Sequence, residues 1–490
     1  MSEGITSSSV PVVDSMFIDG QWRPASSKST FAVTNPATGE VLARVSDGAA
    51  ADVRSAIAAA AAAFPEWSRR TAYQRAEVLL EAHRRMLERS DELAKLMTEE
   101  QGKPLRAAGI EVKYAADFLI WFAEEAKRVY GQTIPSARAD QRFMVLHQPV
   151  GVVGAVTPWN YPISMITRKV APALAAGCTV VLKPAEQTPL CAIEVFRILE
   201  ASGVPPGVIN LVTTADPEPV GTEFVTNPAV AKLTFTGSTS VGKHLAQGAA
   251  SQMKRFSMEL GGHAPFIVFD DADPVHAAKG AAMVKVLNTG QACISPNRIF
   301  VHRSIKDAFV AVLTDRLAKM KAGSGFTDGV NIGPLIDADA MERMQRQIAD
   351  AVDKGAVVET GGMRLTRDGL DRGFFFAPTV VTGVTDDMDI YREETFGPIA
   401  PVIVFDDDEE VIQMANDTEY GLASYVYTQN LSRAWRAVEQ LRFGMIGVND
   451  INPTSAAAPF GGVKQSGQGR EGAHAGILEY LDTKLVGFSV

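Results

Sequence analysis

Cys293 lies in the run Asn288-Thr-Gly-Gln-Ala-Cys-Ile-Ser, 34 positions after Glu259 in Met258-Glu-Leu-Gly-Gly. A thiol and a carboxylate can serve as nucleophile and base in covalent catalysis. Each also has a plainer reading, as a salt-bridged acid and as a small apolar filler. The neighbouring Gly261, Gly262 and Gly290 favour the chemical one, because they leave backbone bare where a substrate approaches.

A third segment, Thr157-Pro-Trp-Asn-Tyr-Pro, carries two prolines that fix the backbone and aromatic rings that build a wall. Asn160 there offers a side-chain N–H to an oxyanion, or simply an Asx-type turn. Leu233-Thr-Phe-Thr-Gly-Ser-Thr-Ser-Val-Gly places glycine and hydroxyl residues where a strand hands over to a helix, which suits a pyrophosphate. Its spacing, Gly237-x4-Gly242, is not G-x-G-x-x-G, and an ordinary N-cap turn reads the same way. Lys183-Pro-Ala-Glu186 follows a strand, where its charges grip a ribose diol or stay solvated. Glu393-Glu394-Thr-Phe-Gly-Pro offers an acid to a sugar hydroxyl, or is an acidic surface loop. The seven histidines form no H-x-x-x-H or Cys/His cluster, so no metal site is expected.

These residues need a scaffold, and 490 residues are too many for one core, so two or three domains are expected. Hydrophobic residues at 46% and charged residues at 21% are those of a globular protein, with no apolar run long enough for a membrane helix. A net charge of -10 argues against nucleic acid and anionic membranes as partners. The N-terminus has no basic segment followed by an apolar core, and the three cysteines suggest no disulfide framework, so a cytoplasmic location is expected.

Residues 1 to about 15 read as frayed, with order starting at a Phe17–Trp22 hairpin on an Asp-Gly turn. Ala49 to Gln101 reads as amphipathic helices broken at Pro65 and near Ser90. Strands at Gly151–Val156, Thr179–Leu182, Val208–Val212 and Ala231–Phe235 alternate with helices at Ile163–Ala176, Ala192–Leu199, Val220–Val225 and Val241–Ala249. Such alternation means a parallel sheet covered on both faces. A second α/β stretch runs from Pro265–Phe269, through helices near 275–287, 304–322 and 339–354, to Ala400–Phe405. The glycine-rich segment from Phe460 reads as a loop, and Tyr480–Val490 as a terminal strand.

Taken together, Thr157-Pro-Trp-Asn, Lys183-Pro-Ala-Glu, Phe235-Thr-Gly-Ser, Met258-Glu-Leu-Gly-Gly, Gly290-Gln-Ala-Cys, Glu394-Thr-Phe-Gly-Pro and Pro459-Phe-Gly-Gly-Val-Lys-Gln-Ser-Gly resemble the aldehyde dehydrogenase superfamily, from about Phe17 to Leu485. Met165-Ile-Thr-Arg-Lys, Asn416-Asp-Thr-Glu-Tyr-Gly-Leu and Gly467-x-Gly-Arg-Glu-Gly resemble its succinate-semialdehyde dehydrogenase branch most. The resemblance implies a doubly wound cofactor domain (1–137 and 157–258), a catalytic α/β domain (259–452) and a small β oligomerisation arm (138–156 and 473–490) that makes dimers or tetramers.

It also implies oxidation of a small aldehyde to its acid. Cys293 attacks the carbonyl, Asn160 and the Cys293 backbone N–H hold the oxyanion, and Glu259 activates water against the thioester, with Lys183 completing the catalytic set. Thr157, Pro158, Trp159 and Asn160, then Lys183, Pro184 and Glu186, then Phe235, Gly237, Ser238 and Val241, then Leu260 and Gly261, and finally Glu394 and Phe396 are the implied cofactor contacts. An acid at Glu186 repels a 2′-phosphate, so NAD is expected over NADP.

Tyr161, Arg168, Leu287, Ser455 and Phe460 are the implied substrate contacts. Branch members usually hold a distal carboxylate with two arginines and a serine. Arg168 and Ser455 align with one arginine and the serine, but Leu287 replaces the second arginine. One lost charge-assisted contact is worth roughly 1.5–3 kcal/mol, about tenfold to more than a hundredfold in affinity. The substrate is therefore a semialdehyde such as succinate semialdehyde, or a more apolar or aromatic aldehyde. Ser295 replaces a second cysteine that forms a regulatory disulfide in some members, and His263 stands in for a more usual Asn. Two rivals remain: a CoA-acylating dehydrogenase, against which Glu259 weighs, and a binding protein that keeps the scaffold without turnover.

Overall fold

The computed structural model describes residues 10–490. Among them, two twisted sheets lie side by side in the chain, with a three-stranded arm and a small N-terminal sheet attached. Five parallel strands form the centre of the larger sheet, in the order Arg255–Glu259, Val230–Thr236, Val152–Val156, Thr179–Lys183, Ile209–Leu211. Thr-Val-Val-Leu-Lys and its neighbours are buried along their length, as strands covered on both faces must be. Met16–Ile18 and Gln21–Arg23 extend one edge as the expected hairpin, whose turn residues Asp19 and Gly20 both have positive φ.

From Val152–Val156 the chain winds outward to Ile209–Leu211, then crosses back to add Val230–Thr236 on the other side. The strand order therefore reverses between Val152–Val156 and Val230–Thr236. Ligands of such sheets bind in the crevice outside the carboxyl ends at this point. Both the Thr157–Tyr161 segment and the Gly237 turn emerge there.

The second sheet has seven strands, in the order Val357–Thr360, Thr379–Thr382, Ile399–Phe405, Pro296–His302, Ala264–Val268, Ala423–Tyr427, Met445–Val448, and is parallel except for Val357–Thr360. In the arm, Leu481–Ser489 pairs antiparallel with Gln141–Pro149 along its whole length, and Gln132–Ile134 adds a third strand.

Four expectations are corrected. The first nine residues lie outside those described, but Val12–Val13 already pairs with Arg44–Val45, so order begins before Phe17. Pro65 does not break its helix, which runs Ala50–Arg69 and keeps Trp67 buried. The break falls at Arg70, because Thr71 and Gln74 form a capping box that starts the next helix, Ala72–Glu88. Val152–Val156, placed with the arm by the expected boundaries, is the middle strand of the larger sheet. Finally, the loop after Phe460 contributes Gly467–Gln468 as an antiparallel edge strand beside Met258–Glu259. No helix among the described residues is long and apolar enough to cross a membrane.

Candidate active site

The nucleophile loop is built from strained backbone. Asn288, Thr289 and Gly290 have φ of 49°, 60° and 78°, and the two non-glycine residues occupy a region that costs about 1–3 kcal/mol each. Their surroundings enforce it. The Asn288 amide donates to the Asn160 carbonyl at 2.8 Å, the Thr289 hydroxyl accepts from Gly333 N–H at 3.1 Å, and a Cβ on Gly290 would lie 2.1 Å from the Gly397 carbonyl oxygen. The loop delivers Cys293 to a cavity of about 320 Å³ that Tyr161, Arg168, Leu287, Asn288 and Phe460 also line. Cys178 and Cys191 are fully buried elsewhere. Burial pushes the Cys293 thiol up to about 12, opposed by Arg168 and reinforced by Glu394 and Glu259.

Asn160 is buried, and its amide donates to the Gln291 carbonyl at 3.1 Å, two residues before the nucleophile. That leaves one amide hydrogen for a developing oxyanion. Glu259 ends its strand with neither carboxylate oxygen hydrogen-bonded among the described residues. Burial and then the charge of Glu471 hold its carboxyl well above the ordinary range, while Arg168, Lys169 and Arg470 oppose them. Glu471 forms an ion pair with Arg168 at 2.8 Å and accepts from Lys169, which also donates to Thr236 Oγ1 at 2.7 Å. Thus Glu259 borders a buried group of two cations and one anion, and the sequence reading did not connect Lys169 and Glu471 with it.

Arg168 faces the cavity as expected, but its guanidinium is already paired with Glu471 and lies 3.9 Å over the Phe460 ring. Leu287 lines the same cavity with the exposed apolar side chains of Ile110 and Met283, alongside the exposed Asn452. Ser455 is exposed beside the cavity, its hydroxyl accepts from Ala457 N–H at 3.2 Å within its own turn, and its neighbour Thr454 lines the cavity wall.

The switch-point crevice collects the expected cofactor residues. Thr157 N–H bonds the Lys183 carbonyl at 3.1 Å, and Lys183 Nζ meets Glu186 at 2.7 Å. Ser238 caps the helix Thr239–Ala250. A Cβ on Gly237 would strike the Phe235 ring at 2.5 Å and one on Gly242 would strike Leu260 at 2.2 Å, so these glycines are also packing requirements. Val241 stays exposed at the helix start. Gly261 N–H bonds Thr239, Gly262 N–H bonds Glu394 at 2.9 Å, and the Trp159 and Phe396 rings meet edge to face at 5.6 Å. Pro158 and Pro184 sit in the two turns that leave the sheet.

Burial raises Glu394 to about 7, against the Gly262 N–H, Arg343 and Lys285. The crevice offers a helix N-terminus for a pyrophosphate, acids for ribose hydroxyls and an aromatic corner, which fits a dinucleotide.

The His263 substitution gains an account: its buried imidazole donates from Nε2 to the Tyr391 carbonyl at 2.8 Å, tying the Glu259 loop to the segment that carries Glu394. Burial and then Arg298 keep it neutral. Ser295 bonds the Lys285 carbonyl, and Lys285, buried and lowered to about 7 by burial, reaches Asn297 at 3.0 Å.

A switch-point edge suited to a nucleotide beside a thiol-bearing cavity is the arrangement of a nucleotide-linked enzyme with a candidate nucleophile. The chain matches the aldehyde dehydrogenase family over residues 22–486, and it belongs to that family, whose members use a nicotinamide cofactor. It is 52% identical to a probable succinate-semialdehyde dehydrogenase [NADP(+)] of Sinorhizobium fredii, covering 94% of this chain and 93% of that protein. It is 50% identical to glutarate-semialdehyde dehydrogenase of Pseudomonas aeruginosa, covering 96% of each. The crystal structure of succinate-semialdehyde dehydrogenase from Burkholderia pseudomallei superposes with a TM-score of 0.95 at 48% identity, over 97% of this chain and 98% of that one.

Proposed function

We propose that this aldehyde dehydrogenase oxidises a semialdehyde such as succinate semialdehyde to the acid, by covalent attachment to Cys293 and with NAD preferred. The observation that carries the covalent route is the delivery of Cys293 alone among the three cysteines to a cavity beside the Asn160 amide. The Cys293 thiol gives up its proton to solvent, its sulfur forms a bond to the carbonyl carbon, and the π electrons move to oxygen, where the free Asn160 N–H and the Cys293 backbone N–H stabilise the oxyanion. A nicotinamide cofactor held in the crevice would supply the acceptor for the hydride lost from this carbon. Glu259, made more basic by burial, then takes a proton from the water that attacks the thioester, and the Cys293 sulfur departs as the leaving group. Lys183 and Glu186 would hold the adenine ribose, and Glu394 the nicotinamide ribose.

A semialdehyde is supported by the relatives, which are named as succinate- and glutarate-semialdehyde dehydrogenases, and by Arg168 in the wall. An apolar or aromatic aldehyde is a second reading, favoured by Leu287 and by the pairing of Arg168 with Glu471. NADH formation at 340 nm with succinate semialdehyde, glutarate semialdehyde, a short aliphatic aldehyde and benzaldehyde, with Cys293→Ala as the blank, decides between them. A hundredfold lead in kcat/KM for the dicarboxylic semialdehydes upholds the first, and a lead for benzaldehyde or the aliphatic aldehyde the second. Activity retained by Cys293→Ala overturns the covalent route, and acceleration by CoA would point to an acylating enzyme.

The NAD preference rests on Glu186 alone, whose charge Lys183 partly offsets, and a relative's name carries NADP(+). It fails if kcat/KM with NADP equals that with NAD. Self-association belongs on the arm, where Ile134, Leu485 and Phe488 are exposed, and light scattering on the purified protein tests it.

A further inference from the structure

Asn160 is gripped from behind by a buried ion pair that no sequence motif singled out. Lys103 Nζ donates to the Asn160 backbone carbonyl at 2.8 Å, and it pairs with Glu111; each of these side chains is 1% exposed. With the Asn288 amide also donating at 2.8 Å, the two bonds occupy the two lone pairs of that carbonyl. Glu111 accepts from Ile163 N–H at 3.1 Å and Ser164 N–H at 3.2 Å, at the start of the helix Ser164–Ala176. The Lys103 ammonium lies 4.2 Å from the centre of the Tyr161 ring, and both residues of the pair border the Cys293 cavity. One pair therefore fixes the backbone of the oxyanion donor and the residues that follow it, Tyr161 to Ser164.

Stability alone is a poor reason for this arrangement, since a buried ion pair seldom outperforms well-packed apolar side chains. Orientation is a better one. The Asn160 side chain has a single hydrogen bond, to Gln291, and its Oδ1 has no partner among the described residues. The direction of the amide is then set largely by the backbone that carries it. Burial lowers the Lys103 pKa, and the adjacent Glu111 charge opposes that loss and keeps the ammonium available to the carbonyl.

We propose that Lys103 and Glu111 are positioning residues that aim the Asn160 amide at the oxygen of the substrate bound to Cys293. The proposal rests on Asn160 being the oxyanion donor, and a double-mutant cycle separates the two claims. Single-turnover NADH formation, at saturating aldehyde and cofactor, is measured for Lys103→Met/Glu111→Gln with Asn160 present and with Asn160→Ala. The Gln keeps an acceptor for Ile163 and Ser164 and leaves no buried charge unpaired.

Asn160→Ala should slow the reaction about 10²–10³-fold, the usual loss of an oxyanion donor. The Lys103/Glu111 change should cost about tenfold or more with Asn160 present and less than about twofold without it. Lys103→Arg, which keeps the donor charge, should restore most of the rate. Equal losses in both backgrounds would show the pair to be packing only and overturn the proposal. An Asn160→Ala enzyme of normal rate would instead remove the oxyanion reading on which it rests. Should the double variant not fold, Glu111→Gln alone supplies the same cycle.

Discussion

Gly262 passes so close to Cys293 that a Cβ on the glycine would lie 2.2 Å from the Cys293 carbonyl oxygen. The loop that follows Glu259 and the loop that carries the nucleophile are thus in direct backbone contact, and neither can shift alone. Gly262→Ala should push the two apart. A displacement near 1 Å can cost about a hundredfold in rate, so kcat should fall by that order while the far-ultraviolet spectrum stays native. A variant with normal kcat would mean that the contact is slack.

The pH dependence follows from the signs of two shifts. Cys293 is pushed up to about 12, so its thiol is protonated near neutrality, and Glu259 is held well above the usual carboxylate range, which makes it a stronger base once ionised. Alkylation of Cys293 by iodoacetamide in the free enzyme should accelerate steadily between pH 7 and 10, approaching about tenfold per unit as the thiolate fraction grows. A plateau below pH 8 would show that Arg168 stabilises the thiolate more strongly than burial opposes it.

Much of this site was legible because its motifs end strands of a sheet whose alternation is plain in the sequence. Parallel strands bring Thr157, Lys183, Gly237 and Glu259 to one edge although they are far apart in the chain. The supporting charges were not legible. Lys103 and Glu111 lie amid helices rich in Arg and Glu, where buried and solvated charges look alike; only the interruption Gly102-Lys103-Pro104 marks the site. Lys169 and Glu471 are 302 residues apart, and their contact depends on how the late glycine-rich loop returns to the first sheet. Around Ser455 an irregular loop has no periodicity to fix its register, and it is the neighbouring Thr454 that lines the cavity.

Leu287 offers a gain-of-function test. It is 40% exposed on the wall opposite no free cation, since Arg168 and Lys103 are both paired with buried acids. Leu287→Arg should add a charge-assisted contact worth roughly 1.5–3 kcal/mol to a distal carboxylate. The kcat/KM for succinate semialdehyde should rise by about tenfold or more, with benzaldehyde unchanged or worse. An equal change for both substrates would place the distal end of the semialdehyde elsewhere.

If Glu394 holds a cofactor ribose as proposed, it should link cofactor affinity to pH. Its carboxyl is raised to about 7, chiefly by burial, and one oxygen accepts from Gly262 N–H. Only the ionised form is purely an acceptor for ribose hydroxyls, so the sign is fixed: affinity is full above pH 7 and is lost as pH falls through it. If binding requires the carboxylate, Kd for the dinucleotide should be about tenfold weaker at pH 6 than at pH 8. Quenching of intrinsic tryptophan fluorescence measures it, with Trp159 in contact with Phe396 at the crevice as a reporter. Glu394→Gln should bind weakly and with little pH dependence over the same range. If the wild type and this variant titrate alike, some other group controls the cofactor, and the bond between Glu394 and Gly262 serves only to join the two loops.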